Sequence, residues 1–147
     1  MPKINTDILK ENNRPLVLVV HPQIHILDEE KKRLQTRFDW PVISIGKVLS
    51  RDILSGQVSG AIAVQAWLID RVRGATSSPI LLSDIDLLFE PGFKLDPLIL
   101  FQRASRFTSL VVLWPGTYTI DKVLSYAVPE HKNYRTWRNP DADIFPL

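Results

Sequence analysis

Leu16-Val17-Leu18-Val19-Val20-His21-Pro22-Gln23-Ile24-His25-Ile26-Leu27-Asp28 joins a strand signal to a helix signal through a turn of diagnostic length. Leu16 to Val20 is a continuous apolar run, the pattern of a central strand covered on both faces. Glu29 to Phe38 has the pattern of an amphipathic helix, with Asp28 as its expected N-cap and Glu29 and Glu30 in its first turn. The turn from His21 to Asp28 has the length of a phosphate-binding loop, G-x-x-x-x-G-K-[ST]. In that register His21 and Ile26 stand at the glycines, Leu27 at the lysine and Asp28 at the Ser/Thr. The frame of a nucleotide-binding unit is present without the residues that bind.

Further along, Pro41 to Ile45 reads as a second strand closed by Gly46. Lys47 to Leu54 is a short helix stopped by Ser55-Gly56. Ala61 to Val72 is a longer one, with Ile62, Ala66 and Ile69 at helical spacing and Gly74 at its end. Ile80 to Ser83 is a third strand, and Pro97 opens a helix running to about Arg106. Thr108 to Trp114 is a fourth strand cut off by Pro115-Gly116, and Val123 to Ala127 is a short fifth. A polar segment, 1–14, with a short helix around Asp7 to Lys10, precedes this unit; an irregular tail, 128–147, packs back on it. Alternating strands and helices predict an α/β domain over 1–147, a three-layer parallel sheet with helices on both faces. Ligands of such sheets gather at the carboxyl ends of the strands. Those ends carry His21, Ser83-Asp84-Ile85-Asp86 and Trp114-Pro115-Gly116.

The chain has 147 residues, 45% of them hydrophobic and 23% charged, the composition of a soluble globular domain with a sizeable core. Eighteen basic against sixteen acidic residues leave a net charge of +2, and no basic run spans a face, so electrostatics argue only weakly for direct nucleic-acid contact. The absence of cysteine excludes disulfides, thiolate metal sites and a Cys nucleophile, and suits a cytoplasmic protein. Apolar runs reach about five residues, far short of a bilayer span. The first residues, Met1 to Asp7, lack the apolar core of a signal peptide.

Leu81-Leu82-Ser83-Asp84-Ile85-Asp86-Leu87-Leu88-Phe89-Glu90-Pro91 is followed by Leu95-Asp96-Pro97-Leu98, Ser105-Arg106, Val111-Val112-Leu113-Trp114-Pro115-Gly116, Leu124-Ser125-Tyr126-Ala127 and Pro129-Glu130-His131-Lys132-Asn133-Tyr134-Arg135. Taken in order from about Leu16 to Arg135, this set resembles the small P-loop protein of bacteriophage-exclusion (BREX) systems, the BrxF family. The resemblance implies a P-loop (AAA+/ASCE-like) ATPase fold. It also implies a place in a cytoplasmic, multi-protein antiviral assembly. The implied partners are other subunits of that complex, a larger ATPase among them; a homo-oligomer is a further option by analogy of fold alone, and the short apolar runs argue against a membrane. The family has an intact G-x-x-x-x-G-K-T loop where this chain has His21 to Asp28. Ser83 falls at the family's strand-end Asp, Asp84 at a small polar position, Asp86 at its Glu, and Asn133 at an acidic position before Tyr134. ATPase activity is therefore not carried over, and the expected role is a pseudo-ATPase acting as scaffold or regulator.

Physical chemistry agrees about the loop. Phosphate loops converge backbone N–H groups on the anion, and Pro22 removes one donor while Ile24 and Ile26 resist positive φ. Asp28, Glu29 and Glu30 would repel a triphosphate. His21, Gln23, His25 and Asp28 are the candidates at the degenerate loop position, and Ser83, Asp84 and Asp86 those at the second strand end. No cofactor is expected; ATP with Mg²⁺ enters only under the alternative of an active ATPase or nucleotide sensor, where Asp84 and Asp86 hold Mg²⁺ through water. Otherwise Asp84 turns the strand end and Asp86 faces solvent. His21, His25 and Asp28 could supply metal ligands, but Pro22 denies the two histidines helical spacing, and local hydrogen bonding is the commoner use of such residues. Arg103 and Arg106 either reach a partner's phosphate site in trans or form surface ion pairs. Tyr134 and Trp137 either anchor a partner or pack on their own domain. A third function class is a DNA-binding accessory using Lys31, Lys32, Arg33 and Arg37.

Overall fold

The computed structural model of the protein describes residues 16–75 and 79–147. The expected helix around Asp7 to Lys10 lies outside the described residues. β1 (Leu16–His21) is followed by α1 (Ile24–Phe38), β2 (Val42–Ser44), α2 (Ile45–Leu54), α3 (Gly60–Arg73) and β3 (Ile80–Ser83). Two short 3-10 turns, Asp86–Phe89 and Pro91–Phe93, lead to α4 (Pro97–Ala104). Then come β4 (Leu110–Tyr118), β5 (Val123–Tyr126), β6 (Arg135–Arg138) and β7 (Asp143–Pro146).

The apolar runs of β1, β3 and β4 lie side by side because each is buried on both faces. They pair in parallel in the order β2-β3-β4-β1-β7, with Leu16 opposite Leu110 and Val20 opposite Trp114. Alternation along β1 splits the core into two layers. Leu16, Leu18 and Val20 pack with Ile45 and Leu49 of α2, Leu68 of α3 and Phe101 of α4. Val17 and Val19 face the other way, onto Leu27 and Leu34 of α1 and onto Trp40. Each such fully buried aliphatic contributes roughly 1.5–3 kcal/mol. Helices therefore cover both faces of a mostly parallel sheet. α2 is tied to α3 by the buried Asp52, whose carboxylate accepts from Trp67 Nε1 and Arg71 Nη2, each at 2.7 Å. Those two donors, the indole first, hold its carboxyl below the usual aspartate range.

Three sequence-based expectations are corrected. First, α1 begins at Ile24, so Asp28 lies inside the helix and is not its N-cap; Gln23 holds that place, and its carbonyl accepts from the N–H groups of Ile26 and Leu27. The sheet-facing stripe Leu27, Glu30, Leu34 starts before Asp28, and burying Leu27 outweighs the capping preference of Asp28.

Second, Pro115-Gly116 does not end β4. Pro115 has no N–H to donate, and it sits where the strand leaves its parallel neighbour β1 for antiparallel pairing with β5. Its carbonyl accepts from Ala127 N–H at 2.9 Å. At Gly116 a Cβ would stand 1.8 Å from the Ser125 carbonyl oxygen, so only glycine fits there.

Third, the tail contains strands. β6 adds antiparallel to β5, and β7 adds parallel to β1, with Leu18 opposite Ile144. β7 is short and ends in Pro146, a position open to proline at a sheet edge.

Candidate functional site

The carboxyl ends of β2 and β3, the first turns of α1 and Pro115 of β4 enclose a cavity of about 270 Å³. Its polar wall includes Asp28 and Lys31 of α1, Ser44, Lys47 of α2, Ser83 and Asp84. Asp86 also lines it and borders a wider, shallower groove of about 700 Å³ shared with Tyr126 and His131.

Asp84 adopts a left-handed conformation, φ 57°, directly after β3. Aspartate tolerates that region better than most residues. Ser44 Oγ donates to Asp84 Oδ2 at 3.1 Å, and Gly46 N–H donates to the Asp84 carbonyl at 2.8 Å. The carboxylate lies over Gly46, where a Cβ would stand 2.3 Å from Oδ2. This explains why a glycine follows β2 so closely. Ser83 Oγ is buried on the cavity wall and has no hydrogen-bond partner among the described residues.

Asp86 Oδ1 accepts from Tyr126 Oη at 2.6 Å, and the Tyr126 ring stacks on Phe89 at 3.6 Å between centroids. Burial pushes the Tyr126 hydroxyl well above the ordinary phenol range, helped by the hydrogen bond and the negative charge of Asp86. The fold thus favours the neutral phenol. Its contribution to stability is complete below the unfolded-state value near 10.0 and is lost as pH rises beyond it. Tyr126→Phe is expected to cost about 1.5 kcal/mol near neutrality. It should also flatten the alkaline decline in denaturant-unfolding free energy. Equal alkaline slopes in both proteins would mean that the hydroxyl is not held neutral.

The cavity unites Asp28, Ser83, Asp84 and Asp86 and leaves His21, Gln23 and His25 off its wall. His21 Nδ1 instead accepts from Gln23 N–H at 3.0 Å and closes the turn into α1, while His25 is exposed in the first turn of that helix. Among the described residues no three His, Cys, Asp or Glu side chains converge as a metal site. Arg103 Nη1 donates to Gln65 Oε1 at 2.8 Å, and Arg106 is exposed just after α4. Tyr134 is also exposed. Trp137 packs on its own domain, edge-on to Trp114 at 5.3 Å, with Nε1 donating to the Asp96 carboxylate.

Sequence reasoning did not single out Lys31, Ser44, Lys47 or Tyr126 for this site. The glycine two residues after Ser44 was the available signal. Proximity of β2 to β3, which turns that glycine into a seat for Asp84, is a tertiary fact.

No protein-family model, curated protein or solved structure matches this chain. Among the described residues no helix is long and apolar enough to cross a membrane.

Proposed function

We propose that the chain is a P-loop-like pseudo-ATPase, a non-catalytic scaffold or regulatory subunit of a bacterial anti-phage assembly of the BREX type. The observation that carries the non-catalytic reading is the β1–α1 connection. Only Pro22 and Gln23 separate the strand from the helix. Two residues, one of them proline, offer no loop whose N–H groups could curl around a phosphate. The parallel order β3-β4-β1, with a cavity at the carboxyl ends of the strands, supports the nucleotide-fold side of the reading, because ligands of such sheets bind there. Membership of a defence assembly rests on the ordered sequence resemblance. In that assembly the exposed Arg103, Arg106 and Tyr134 are the side chains offered to partner subunits.

The test is thermal melting with and without ATP plus Mg²⁺, repeated with ADP. A ligand at a hundred times its Kd would add about 2.7 kcal/mol, roughly 5–10 °C for a domain of this size. No shift is expected. A clear upward shift would overturn the pseudo-ATPase reading in favour of the active ATPase or nucleotide sensor. Charge reversal at Arg106 should weaken a reconstituted defence assembly without lowering the melting temperature of this subunit; an unchanged assembly removes that arginine from the interface.

A further inference from the structure

Helix α1 turns Leu27, Glu30 and Leu34 toward the sheet and leaves a cationic strip outside. Four of the chain's eighteen Lys and Arg residues, Lys31, Lys32, Arg33 and Arg37, fall within seven positions. Lys32, Arg33, Thr36 and Arg37 alone line a shallow concavity of about 430 Å³. Lys32 stacks over Thr36 and Arg33 over Arg37, each pair separated by an i,i+4 rise of about 6 Å.

The charges on this strip are largely uncommitted. Arg33 is the exception, since its Nε is held by Glu30 and its Nη2 is buried, so it borders the concavity as a paired cation. Lys32 and Arg37 form no ion pair among the described residues. Arg37 lies over the Phe38 ring at 5.5 Å, and Phe38 stacks on Trp40 at 4.6 Å, so the end of the strip is braced by aromatics. The exposed acids Glu29 and Asp39 flank the concavity and line none of it.

We infer that this face of α1 binds the phosphodiester backbone of duplex nucleic acid. The unpaired Lys32 and Arg37, with the paired Arg33 and the Thr36 hydroxyl beside them, suit phosphate oxygens, and no Asn or Gln lines the groove to read adenine. The surface is separate from the strand-end cavity, so the inference stands whether or not the pseudo-ATPase reading holds.

The experiment is fluorescence anisotropy of a labelled DNA duplex of about 20 base pairs, titrated with the full chain between about 50 and 200 mM KCl. Two phosphate contacts predict a slope of log K against log salt near −1.8, hence a roughly 12-fold loss of affinity across that range. The pair Lys32→Glu and Arg37→Glu should abolish binding, and Lys32→Arg with Arg37→Lys should preserve it to within about twofold, since phosphate contacts need charge more than shape. Both positions are exposed, and unchanged melting temperatures confirm folding in each variant. Several results would overturn the inference: no binding at the lowest salt, equal binding by the charge-reversed pair, or equal competition by poly-glutamate. Binding to phosphatidylserine vesicles with none to DNA would reassign the strip to a lipid surface.

Discussion

Trp114→Ala is expected to destabilise the protein by about 3–5 kcal/mol, the cost of deleting a fully buried large aromatic. Trp114 is wholly enclosed and meets Phe89, Phe101 and Trp137 edge-on at 5.1, 6.3 and 5.3 Å. Its Nε1 donates to the Ser125 carbonyl at 2.8 Å, joining the parallel sheet to the β4–β5–β6 ribbon. Alanine would leave a cavity and also a buried carbonyl without that donor. Domains of this kind have only about 5–15 kcal/mol in total, so the melting temperature should fall by roughly 10–15 °C. Trp114→Phe, which keeps a ring and loses the N–H, should recover part of the difference. A fall below about 5 °C for the alanine variant would show that the ribbon and its aromatic cluster contribute little to the global stability.

The second large effect concerns the β1–α1 connection. Sequence register alone suggests that His21→Gly, Ile26→Gly, Leu27→Lys and Asp28→Thr together should restore nucleotide binding. The structure changes that expectation. Leu27 is 4% exposed and packs with Val17, Val19 and Leu113, so its loss costs about 2–5 kcal/mol before any charge is buried. Glycine at Ile26, inside α1, removes roughly 1 kcal/mol more. The combined variant should therefore melt far below the native protein and gain no response to ATP and Mg²⁺. Calorimetric scans with and without nucleotide decide it. A variant that melts normally and is stabilised by ATP would place the start of α1 at Asp28 and return the connection to a loop.

How much of this was legible in the chain depends on the range of the forces involved. Ile80–Ser83 is legible to the residue, because three apolar residues and a serine between Pro79 and Asp84 leave little choice. α3 was read to within one residue at each end, since Gly60 and Gly74 punctuate its helical period. The start of α1 was misread because Asp28 is a good cap locally, whereas the residue that decides the boundary, Leu27, acts through a partner surface on β1 and β4. Of the candidate site, Asp28, Ser83, Asp84 and Asp86 were named from sequence and share one wall. Lys47 and Tyr126 are not legible there, because Lys47 joins the cavity lining and Tyr126 meets Asp86 only after α2 and β5 are in place.

Short-range sequence signals settle the α/β class, the parallel core strands and the absence of glycine, lysine and Ser/Thr at His21, Ile26, Leu27 and Asp28. These follow from local side-chain chemistry: apolar runs, breakers and the donors a phosphate needs. Only the tertiary structure decided that β4 runs through Pro115-Gly116, that the tail supplies β6 and β7, and that Asp84 is seated on Gly46. Each of those depends on backbone hydrogen bonds or close approaches between segments distant in the chain, such as Gly116 against Ser125 and Leu18 against Ile144. A proline looks like a stop until a neighbouring strand makes its missing N–H irrelevant.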